Sequence, residues 1–232
     1  MSHRPYGPYE KYIKRPLDFF LALCAIIVLS PVLLILAVIG AFAMKGNPFF
    51  TQLRPGKDER IFKLIKFRTM TSEKDSDGNL LPDDERLTKY GKFLRSTSLD
   101  ELPELFNILI GDMAVIGPRP QLVRDMVFMS DTQRLRHTVR PGLSGLAQIS
   151  GRNALKWENK LSFDLQYIEN ITFLGDIKII LTTFVKVFAR ADITEDGFET
   201  AEDFGDYLLR IGDVDKETYN QKQQEALELI EA

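Results

Sequence analysis

The stretch Ser98-Leu-Asp-Glu-Leu-Pro-Glu-Leu-Phe-Asn-Ile-Leu109 places two adjacent acids directly before an apolar run. Pro103 has no backbone N–H to donate, so it fits an α-helix only in the first turn. We therefore expect a helix that begins near Pro103, with Asp100 and Glu101 at its amino-terminal end. Free N–H groups and the helix dipole favour negative charge there, which would keep an aspartate ionised and nucleophilic.

A purely structural interpretation of the same stretch is open. Ser98 and Glu101 have the spacing of a capping box, in which each side chain accepts a hydrogen bond at the start of a helix. Asp100 would then only add charge to the first turn. The rest of the chain is needed to decide between a structural and a chemical role.

Composition and charge divide the chain of 232 residues into a basic body and an acidic tail. Residues 192–232 carry 13 acids and 3 bases, which leaves 20 acids and 27 bases in residues 1–191. A basic body suits anionic membrane lipid or phosphate ligands; we expect no nucleic-acid partner. The single cysteine, Cys24, lies in an apolar run, which predicts a reducing compartment and no disulfide framework.

One long apolar segment precedes the body. No charged side chain occurs between Phe19 and Met44, and a helix of this length measures ~39 Å, enough to cross a bilayer. It is too long for the apolar part of a signal peptide. Basic residues flank both ends, and the positive-inside tendency therefore places both ends on the cytoplasmic side.

Ser30 and Pro31 lie near the middle of this segment. Proline removes one helical hydrogen bond, and the serine hydroxyl can turn back to a carbonyl of the preceding turn. We interpret the segment as a re-entrant helix–break–helix that enters and leaves by the same membrane face. A proline-kinked helix that spans the bilayer is the alternative.

The remaining chain predicts a mainly α fold with a small β-hairpin, a compact α/β domain. Apolar runs on either side of a Pro-Gly turn within residues 49–70 predict the hairpin, and residues 121–138 look helical. We divide the chain into residues 1–46 (membrane segment), 47–191 (main body) and 192–232 (acidic extension). The extension is expected to pack on the body or to mediate self-association.

Three arginines lie beside prolines or glycines, where the backbone is restricted or can form an anion-binding nest: Arg119, Arg140 and Arg152. An arginine fork matches phosphate oxygens in two-point contacts, although a single arginine is more often a surface residue. Cysteine and histidine are too few for a zinc site. Two carboxylates at Asp100 and Glu101 would instead suit Mg²⁺ together with substrate phosphates.

A series of motifs, in this order, resembles one protein family. The motifs are Lys14-Arg-Pro-Leu-Asp18, Ser30-Pro31, Phe50-Thr-Gln-Leu-Arg-Pro-Gly56, Lys66-Phe-Arg-Thr-Met70, Leu80-Leu-Pro-Asp-Asp84, Arg95-Ser-Thr-Ser-Leu-Asp-Glu-Leu-Pro103, Gly111-Asp-Met113, Gly117-Pro-Arg-Pro120, Arg140-Pro-Gly-Leu-Ser-Gly-Leu-Ala-Gln148 and Gly151-Arg-Asn153. They cover about residues 10–190. The chain resembles the small bacterial monotopic phosphoglycosyl transferases, the PglC-like sugar transferases.

The resemblance implies transfer of a phospho-sugar from a UDP-sugar to polyprenol (undecaprenyl) phosphate, with release of UMP. It implies that Asp100 forms a covalent aspartyl phosphosugar in a ping-pong reaction, and that Glu101 is its partner acid and an Mg²⁺ ligand. It also implies that residues 47–191 are a compact cytoplasmic catalytic domain lying on the membrane, at the cytoplasmic face of the bacterial inner membrane. Substrate-binding positions follow from the motifs: Lys66, Arg68, Arg95, Arg119, Arg140 and Arg152. Arg68 replaces a lysine that would also be accepted there.

The donor sugar stays open. Overall similarity is closest to enzymes that use UDP-N,N′-diacetylbacillosamine, but related members take galactose, glucose or N-acetylhexosamine donors. A membrane-anchored adaptor without catalysis and a glycosyltransferase that releases UDP are the alternatives in function, and a homodimer is a further expectation.

Overall fold

The computed structural model describes residues 3–151, 155–188 and 202–231. Eleven α-helices lie in these ranges: α1 Lys14–Ala43, α2 Asp83–Arg86, α3 Lys89–Thr97, α4 Glu104–Ile110, α5 Val123–Met126, α6 Asp131–Arg134, α7 Leu146–Gly151, α8 Trp157–Glu169, α9 Phe173–Phe188, α10 Phe204–Ile211 and α11 Lys216–Glu231. Four strands accompany them: β1 Phe49–Pro55, β2 Ile61–Phe67, β3 Ala114–Ile116 and β4 Gly142–Ser144. The predicted mainly α fold with a small hairpin is confirmed.

Helix α1 is continuous through Pro31, so the expected break into two separate helices does not occur. The Ser30 hydroxyl donates to the Ile27 carbonyl over 2.8 Å, and it thereby satisfies the acceptor that proline leaves without its N–H partner. Together with the turn before it, α1 forms the one helix in the described ranges that is long and apolar enough to cross a membrane.

One face of α1 packs along the body. Asp18, Ala22, Leu36 and Gly40 are buried and form a single stripe. Ala22 contacts a core cluster with side chains of β2 and α4, and Leu36 contacts a second cluster that contains Leu94 of α3. The opposite face exposes large apolar side chains: Ile27, Val28, Leu34, Ile35, Val38, Ile39 and Phe42. The exposed apolar face indicates association with a membrane.

The hairpin pairs β1 and β2 in antiparallel register from Phe49 opposite Phe67 to Pro55 opposite Ile61. Asn107 of α4 fixes this hairpin. Its Nδ2 donates to the Lys63 carbonyl over 2.8 Å, and its Oδ1 accepts from the Ile65 N–H over 3.0 Å. Because Asn107 is fully buried, these bonds satisfy the edge of β2 where water cannot reach.

The start of α4 differs from the expectation. Ser98 ends α3 in the left-handed conformation, with φ 56°, and makes no side-chain cap. A 3₁₀ turn, Leu99–Glu101, follows, and α4 begins only at Glu104. The capping-box interpretation is therefore wrong, because Ser98 closes one helix instead of opening the next. Asp100 and Glu101 lie in a tight turn before the helix, not in its first turn.

Residues 121–138 do not form the single helix that was expected. They divide into α5, α6 and a 3₁₀ turn, Leu135–Thr138. Each short helix has its own start: Asp125 accepts from the Leu122 N–H, and Ser130 accepts from the Gln133 N–H. Side-chain caps of this kind favour helix ends over a continuous helix.

The described part of the acidic extension packs on the body. Phe204 of α10 joins a core cluster with Met129, Trp157 and Leu161, and Ala226 of α11 packs on α5. Of the two roles expected for the extension, the structure shows packing on the body.

Candidate active site

A cleft of about 1620 Å³ crosses the body beside α1 and contains the acidic pair. Apolar side chains of α1 and α9 line one part, among them Leu21, Leu29 and Phe184. Charged and polar side chains line the rest, with Asp100 and Glu101 among them. The cleft thus joins an apolar region at the membrane helix to a charged region in the body.

Close packing of α3 on the end of β2 positions Arg95. A Cβ on Gly91 would lie 1.9 Å from the Thr69 carbonyl oxygen, so only glycine allows the helix this close. One turn later, Arg95 Nε donates to Thr69 Oγ1 over 3.1 Å. Burial lowers the pKa of Arg95, and the charge of Asp100 partly offsets this.

Glu101 is held by two cations. Lys66 Nζ donates to Glu101 Oε1 over 2.8 Å, and Arg119 Nη2 donates to the same oxygen over 2.7 Å. Burial would raise the pKa of Glu101, but Arg119 and Lys66 outweigh it and hold that pKa well below the ordinary value. Glu101 is therefore a fixed negative charge, and charge-assisted bonds of this kind define its orientation.

A third carboxylate shares Lys66. Glu104 Oε1 lies 3.1 Å from Lys66 Nζ, and the residue is 2 % exposed. Burial raises the pKa of Glu104 to about 7, although the charge of Lys66 acts in the opposite direction. Burial also acts to lower the pKa of Lys66, but Glu101 and Glu104 outweigh it and raise that pKa. Lys66 consequently stays charged.

Asp100 differs from its neighbour. No hydrogen bond joins its carboxylate to another residue within the described ranges, and burial together with the charge of Glu101 raises its pKa to about 6. We expected the amino-terminal end of a helix to keep Asp100 ionised. That cause does not apply, because the residue precedes α4 and lies in a desolvated turn. A carboxylate with a raised pKa and no hydrogen bond is a better nucleophile than one that is paired.

Two arginines fix the loop that carries Arg119. Arg136 Nη2 donates to the Arg119 carbonyl over 2.6 Å, and Arg54 Nη1 donates to the Pro120 carbonyl over 3.0 Å. Arg136 is itself paired with the buried Asp164 at 2.6 Å. Hydrogen bonds to the loop backbone thus orient Arg119. The charge of Glu101, which outweighs burial, raises the pKa of Arg119.

Most of the predicted site residues come together in the cleft. Its lining contains Asp100, Glu101, Lys66, Arg68, Arg95 and Arg119. Arg140 does not line it; its Nε donates to the Gly111 carbonyl over 2.7 Å, at the turn after α4. Ser30 and Pro31 lie on α1 between the lining residues Leu29 and Val32. Arg152 falls outside the described residues.

Sequence reasoning missed several charged residues of the site. Glu104 does not line the cleft but contacts Lys66, which does; as the third acid in five residues it could have been noticed. Arg54 and Lys160 line the cleft, but no local pattern distinguishes them from surface bases. Burial lowers the pKa of Arg54 to about 10, and Arg119 adds to the effect. Only the tertiary structure could reveal that environment.

The donor set suits a hard cation that also binds phosphate. Asp100 supplies a carboxylate without a hydrogen bond in the described ranges, and only one oxygen of Glu101 is occupied by cations. No cluster of three or more acidic, histidine or cysteine side chains able to hold a metal occurs there. Mg²⁺ commonly binds through one or two carboxylates plus substrate phosphates, so these residues fit it only in company with a substrate.

Comparison with known proteins decides the family. The sequence pattern of the family described as bacterial sugar transferase matches residues 9–190. The chain belongs to this family. The prediction of a small phosphoglycosyl transferase family, made from the motifs, is thereby confirmed, and so is the prediction of a transferase. The acidic extension lies beyond the matched region.

Several curated relatives are similar over most of the chain. An uncharacterized sugar transferase of Bacillus subtilis, EpsL, is 43% identical over 192 residues, which are 83% of this chain and 95% of that protein. The UDP-glucose:undecaprenyl-phosphate glucose-1-phosphate transferase of Klebsiella pneumoniae is 41% identical over 194 residues, 79% of this chain and 42% of that protein. The exopolysaccharide production protein ExoY of Sinorhizobium fredii is 35% identical, with 79% and 88% covered. The chain thus spans nearly all of the Bacillus protein and less than half of the Klebsiella protein.

Proposed function

We propose that this chain transfers a sugar phosphate from a UDP-sugar to polyprenol phosphate and releases UMP, the first membrane step of glycoconjugate assembly. The observation that carries the proposal is the position of Asp100. Its carboxylate lies in a cleft that has both an apolar part at the membrane helix and a cationic part in the body. A lipid-borne acceptor and a water-soluble donor can both reach such a site.

In the first displacement, a carboxylate oxygen of Asp100 attacks the sugar-bearing phosphorus. The bond from that phosphorus to the bridging oxygen breaks, and UMP leaves with the electron pair. The negative charge on the diphosphate opposes attack by an anion, so cations must neutralise it. Arg95 and Arg119 line the cleft on the same side as Asp100, and both remain charged at neutral pH.

In the second displacement, a phosphate oxygen of the polyprenol phosphate attacks the aspartyl phosphorus. The Asp100 carboxylate leaves, and a polyprenol diphosphate sugar is formed. Asp100 and Glu101 are the residues that would hold Mg²⁺, which when bound neutralises phosphate charge. Lys66 and Arg119 hold Glu101 in one orientation throughout.

Relatives named in the comparison suggest the donor class. The Klebsiella protein is named for UDP-glucose, and a relative from Erwinia amylovora is named a UDP-galactose-lipid carrier transferase. A UDP-hexose is therefore the first donor to try. UDP-N,N′-diacetylbacillosamine and UDP-N-acetylhexosamines stay predictions, as do a homodimer and a contact with anionic lipid.

The covalent step gives the sharpest test. Purified protein is incubated with Mg²⁺ and each UDP-sugar in turn, without acceptor, then quenched, digested and weighed by mass spectrometry. We expect a hexose-phosphate adduct on the peptide with Asp100, formed with release of one UMP per adduct. Adding polyprenol phosphate should remove the adduct and allow continued UMP release. Asp100→Asn keeps the shape but removes the nucleophile, and should show neither. Release of UDP in place of UMP, or wild-type turnover by Asp100→Asn, would overturn the proposal.

We further propose that α1 is re-entrant, lying in one leaflet of the inner membrane from its cytoplasmic face. Ala22 and Leu36 are ~21 Å apart along the helix, yet both are buried against the same body. β2 supplies neighbours to both clusters, so a spanning α1 would draw that charged strand into hydrocarbon. A body of this kind cannot enter the bilayer without large desolvation costs.

Cysteine labelling tests this course. In a Cys24→Ser background, Tyr6→Cys and Glu85→Cys place single thiols before α1 and in the body. A membrane-impermeant maleimide applied to inside-out vesicles should label both, and neither should react in intact right-side-out vesicles. Labelling of the two positions from opposite sides would show a spanning helix.

A further inference from the structure

The charged part of the cleft continues past Arg119 to a region that the reaction as described does not use. Lys160 and Trp157 of α8 line it, and the first described residues of the extension, Glu202 and Asp203, lie beside them. This region is therefore built partly from residues beyond the match to the family.

Lys160 is an unneutralised cation. Its ammonium lies over the Trp157 ring, 5.1 Å from the centroid, and makes no hydrogen bond or ion pair to a residue within the described ranges. Burial lowers its pKa, and the charge of Arg119 lowers it further, although the charge of Asp125 acts in the opposite direction. Lys66 and Arg119 share the carboxylate of Glu101, whereas Lys160 shares none. An anion bound between Arg119 and Lys160 would relieve this repulsion.

The acids beside Lys160 are already engaged. Asp203 forms an ion pair with Arg124, and both oxygens of Glu202 accept from Arg210 at 2.8 Å. The remaining acids of this region, Asp125 and Asp164, accept two backbone N–H groups and the Arg136 guanidinium respectively. Within the described ranges, each of these four carboxylates therefore has a hydrogen-bond or ion-pair partner, which weakens its repulsion of an anion.

The extension holds the part of the cleft that contains Lys160 and Trp157 in place. Trp157 Nε1 donates to the Glu202 carbonyl over 3.1 Å, and the Phe204 ring lies 5.0 Å from the indole. The Phe204 N–H donates to the buried Asp125 over 2.8 Å. Asp125 also accepts from the Leu122 N–H, so the extension braces both α8 and the segment that follows Arg119.

We propose that Lys160, seated on Trp157 and braced by residues 202–211, binds the phosphate of the UMP half of the donor. This inference deepens the proposed function and rests on it for the identity of the donor. Asp100 and Arg119 face the sugar-bearing phosphate, and Lys160 lies at the next position along the cleft, where the leaving nucleotide phosphate would be. Lys160 is a binding residue, and Phe204 is a positioning residue.

The test is UMP binding by the full chain in detergent, measured by titration calorimetry, which needs no turnover. Lys160→Met should weaken UMP binding ~10-fold, the loss expected for one charge-assisted contact, and leave binding of uridine unchanged. Lys160→Arg should retain most of the affinity. The matched control is Lys156→Met, which removes an exposed lysine one turn earlier that does not line the cleft. Equal UMP affinity in Lys160→Met and the control would overturn the assignment.

Kinetics supply the second readout. Lys160→Met should raise KM for the UDP-sugar ~10-fold and leave KM for polyprenol phosphate unchanged. Phe204→Ala should shift both UMP affinity and donor KM in the same direction, whereas Leu227→Ala, an exposed site on α11, should not. Unchanged UMP affinity in Phe204→Ala would overturn the role of the extension.

The outcomes separate this inference from the proposed function. Wild-type protein that binds UMP through Lys160, but releases no UMP from any UDP-sugar, would overturn the proposed function and support the subsite. Normal UMP release, with UMP affinity that does not depend on Lys160, would do the reverse.

Discussion

Arg119 Nη2 lies 2.7 Å from Glu101 Oε1, so a guanidinium from a proline-framed loop is tied to the acid directly beside Asp100. The loop is held from behind by Arg54 and Arg136. The negative charge of Glu101 is therefore maintained by groups that come from distant parts of the chain. Burial raises the pKa of Asp100, and the charge of Glu101 raises it further.

Removing this guanidinium should impair turnover more than folding. Arg119→Ala leaves Glu101 with Lys66 alone and removes a cation that faces the substrate phosphates in the proposed reaction. We expect kcat/KM for the UDP-sugar to fall ~100-fold, the scale found when one preorganised electrostatic contact is removed. Arg119→Lys should have a kcat/KM between those of wild type and Arg119→Ala, because lysine keeps the charge but cannot reproduce the guanidinium fork. Arg60→Ala, at an exposed turn of the hairpin, is the control; equal rates in Arg119→Ala and this control would contradict the role.

Asn107 should be a major determinant of stability. Asn107→Ala leaves the Lys63 carbonyl and the Ile65 N–H without their partner in a buried setting. We expect the free energy of unfolding to fall by about 3 kcal/mol, measured by chemical denaturation in detergent. Asn79→Ala, in an exposed turn, should change it by less than about 0.5 kcal/mol. Similar midpoints for the two variants would contradict the structural role of Asn107.

Gly91 should not tolerate even one methyl group. A Cβ at this position would lie 1.9 Å from the Thr69 carbonyl oxygen and 2.7 Å from the Thr69 carbonyl carbon, so α3 must move away from β2. We expect Gly91→Ala to destabilise the fold by about 3 kcal/mol and to lower activity, because Arg95 loses its contact with Thr69. Gly46→Ala, where the nearest atom is 3.9 Å away, is the matched control.

His137 should make stability depend on pH. Burial lowers its pKa to about 3, and Arg136 and Arg134 add to the effect, although Glu59 Oε1 lies 3.8 Å from its Nδ1. Between pH 3 and 6.5 the unfolded chain then binds the proton that the folded chain excludes, so the free energy of unfolding rises with pH in this window.

The contribution of His137 is measured as a difference between proteins. Relative to His137→Gln, the wild-type protein should lose up to about 1.4 kcal/mol per pH unit as pH falls below 6.5. Buried carboxylates titrate alike in both proteins, so their contributions to the free energy of unfolding cancel in the difference. His3→Gln replaces the other histidine of the chain and serves as the control. Parallel profiles for wild type and His137→Gln would show that His137 is not buried in its neutral form.

Local features were predictable from sequence because their causes lie within a few residues. The apolar run gave α1, and the bond from Ser30 to Ile27 joins neighbours within one turn. The hairpin follows from two apolar runs around Pro55 and Gly56. The motifs indicated the family and its acidic pair.

Contacts between distant residues were not predictable from local pattern. The start of α4 was placed too early because Ser98 belongs to the helix before it. Arg140 has the same rigid setting as Arg119, yet it bonds to the turn after α4 and not to the cleft. No local pattern shows which partner a long basic side chain will reach once the chain has folded.

The sequence by itself determined the membrane helix, the hairpin, the acidic pair and the family, since these depend on periodicity, turn residues and ordered motifs. Only the tertiary structure decided the charge state of the site and the place of the extension. Burial and the charge of Glu101 raise the pKa of Asp100, and Phe204 meets Trp157 across 46 intervening residues. Both effects depend on desolvation and packing, which arise only when remote segments are brought together.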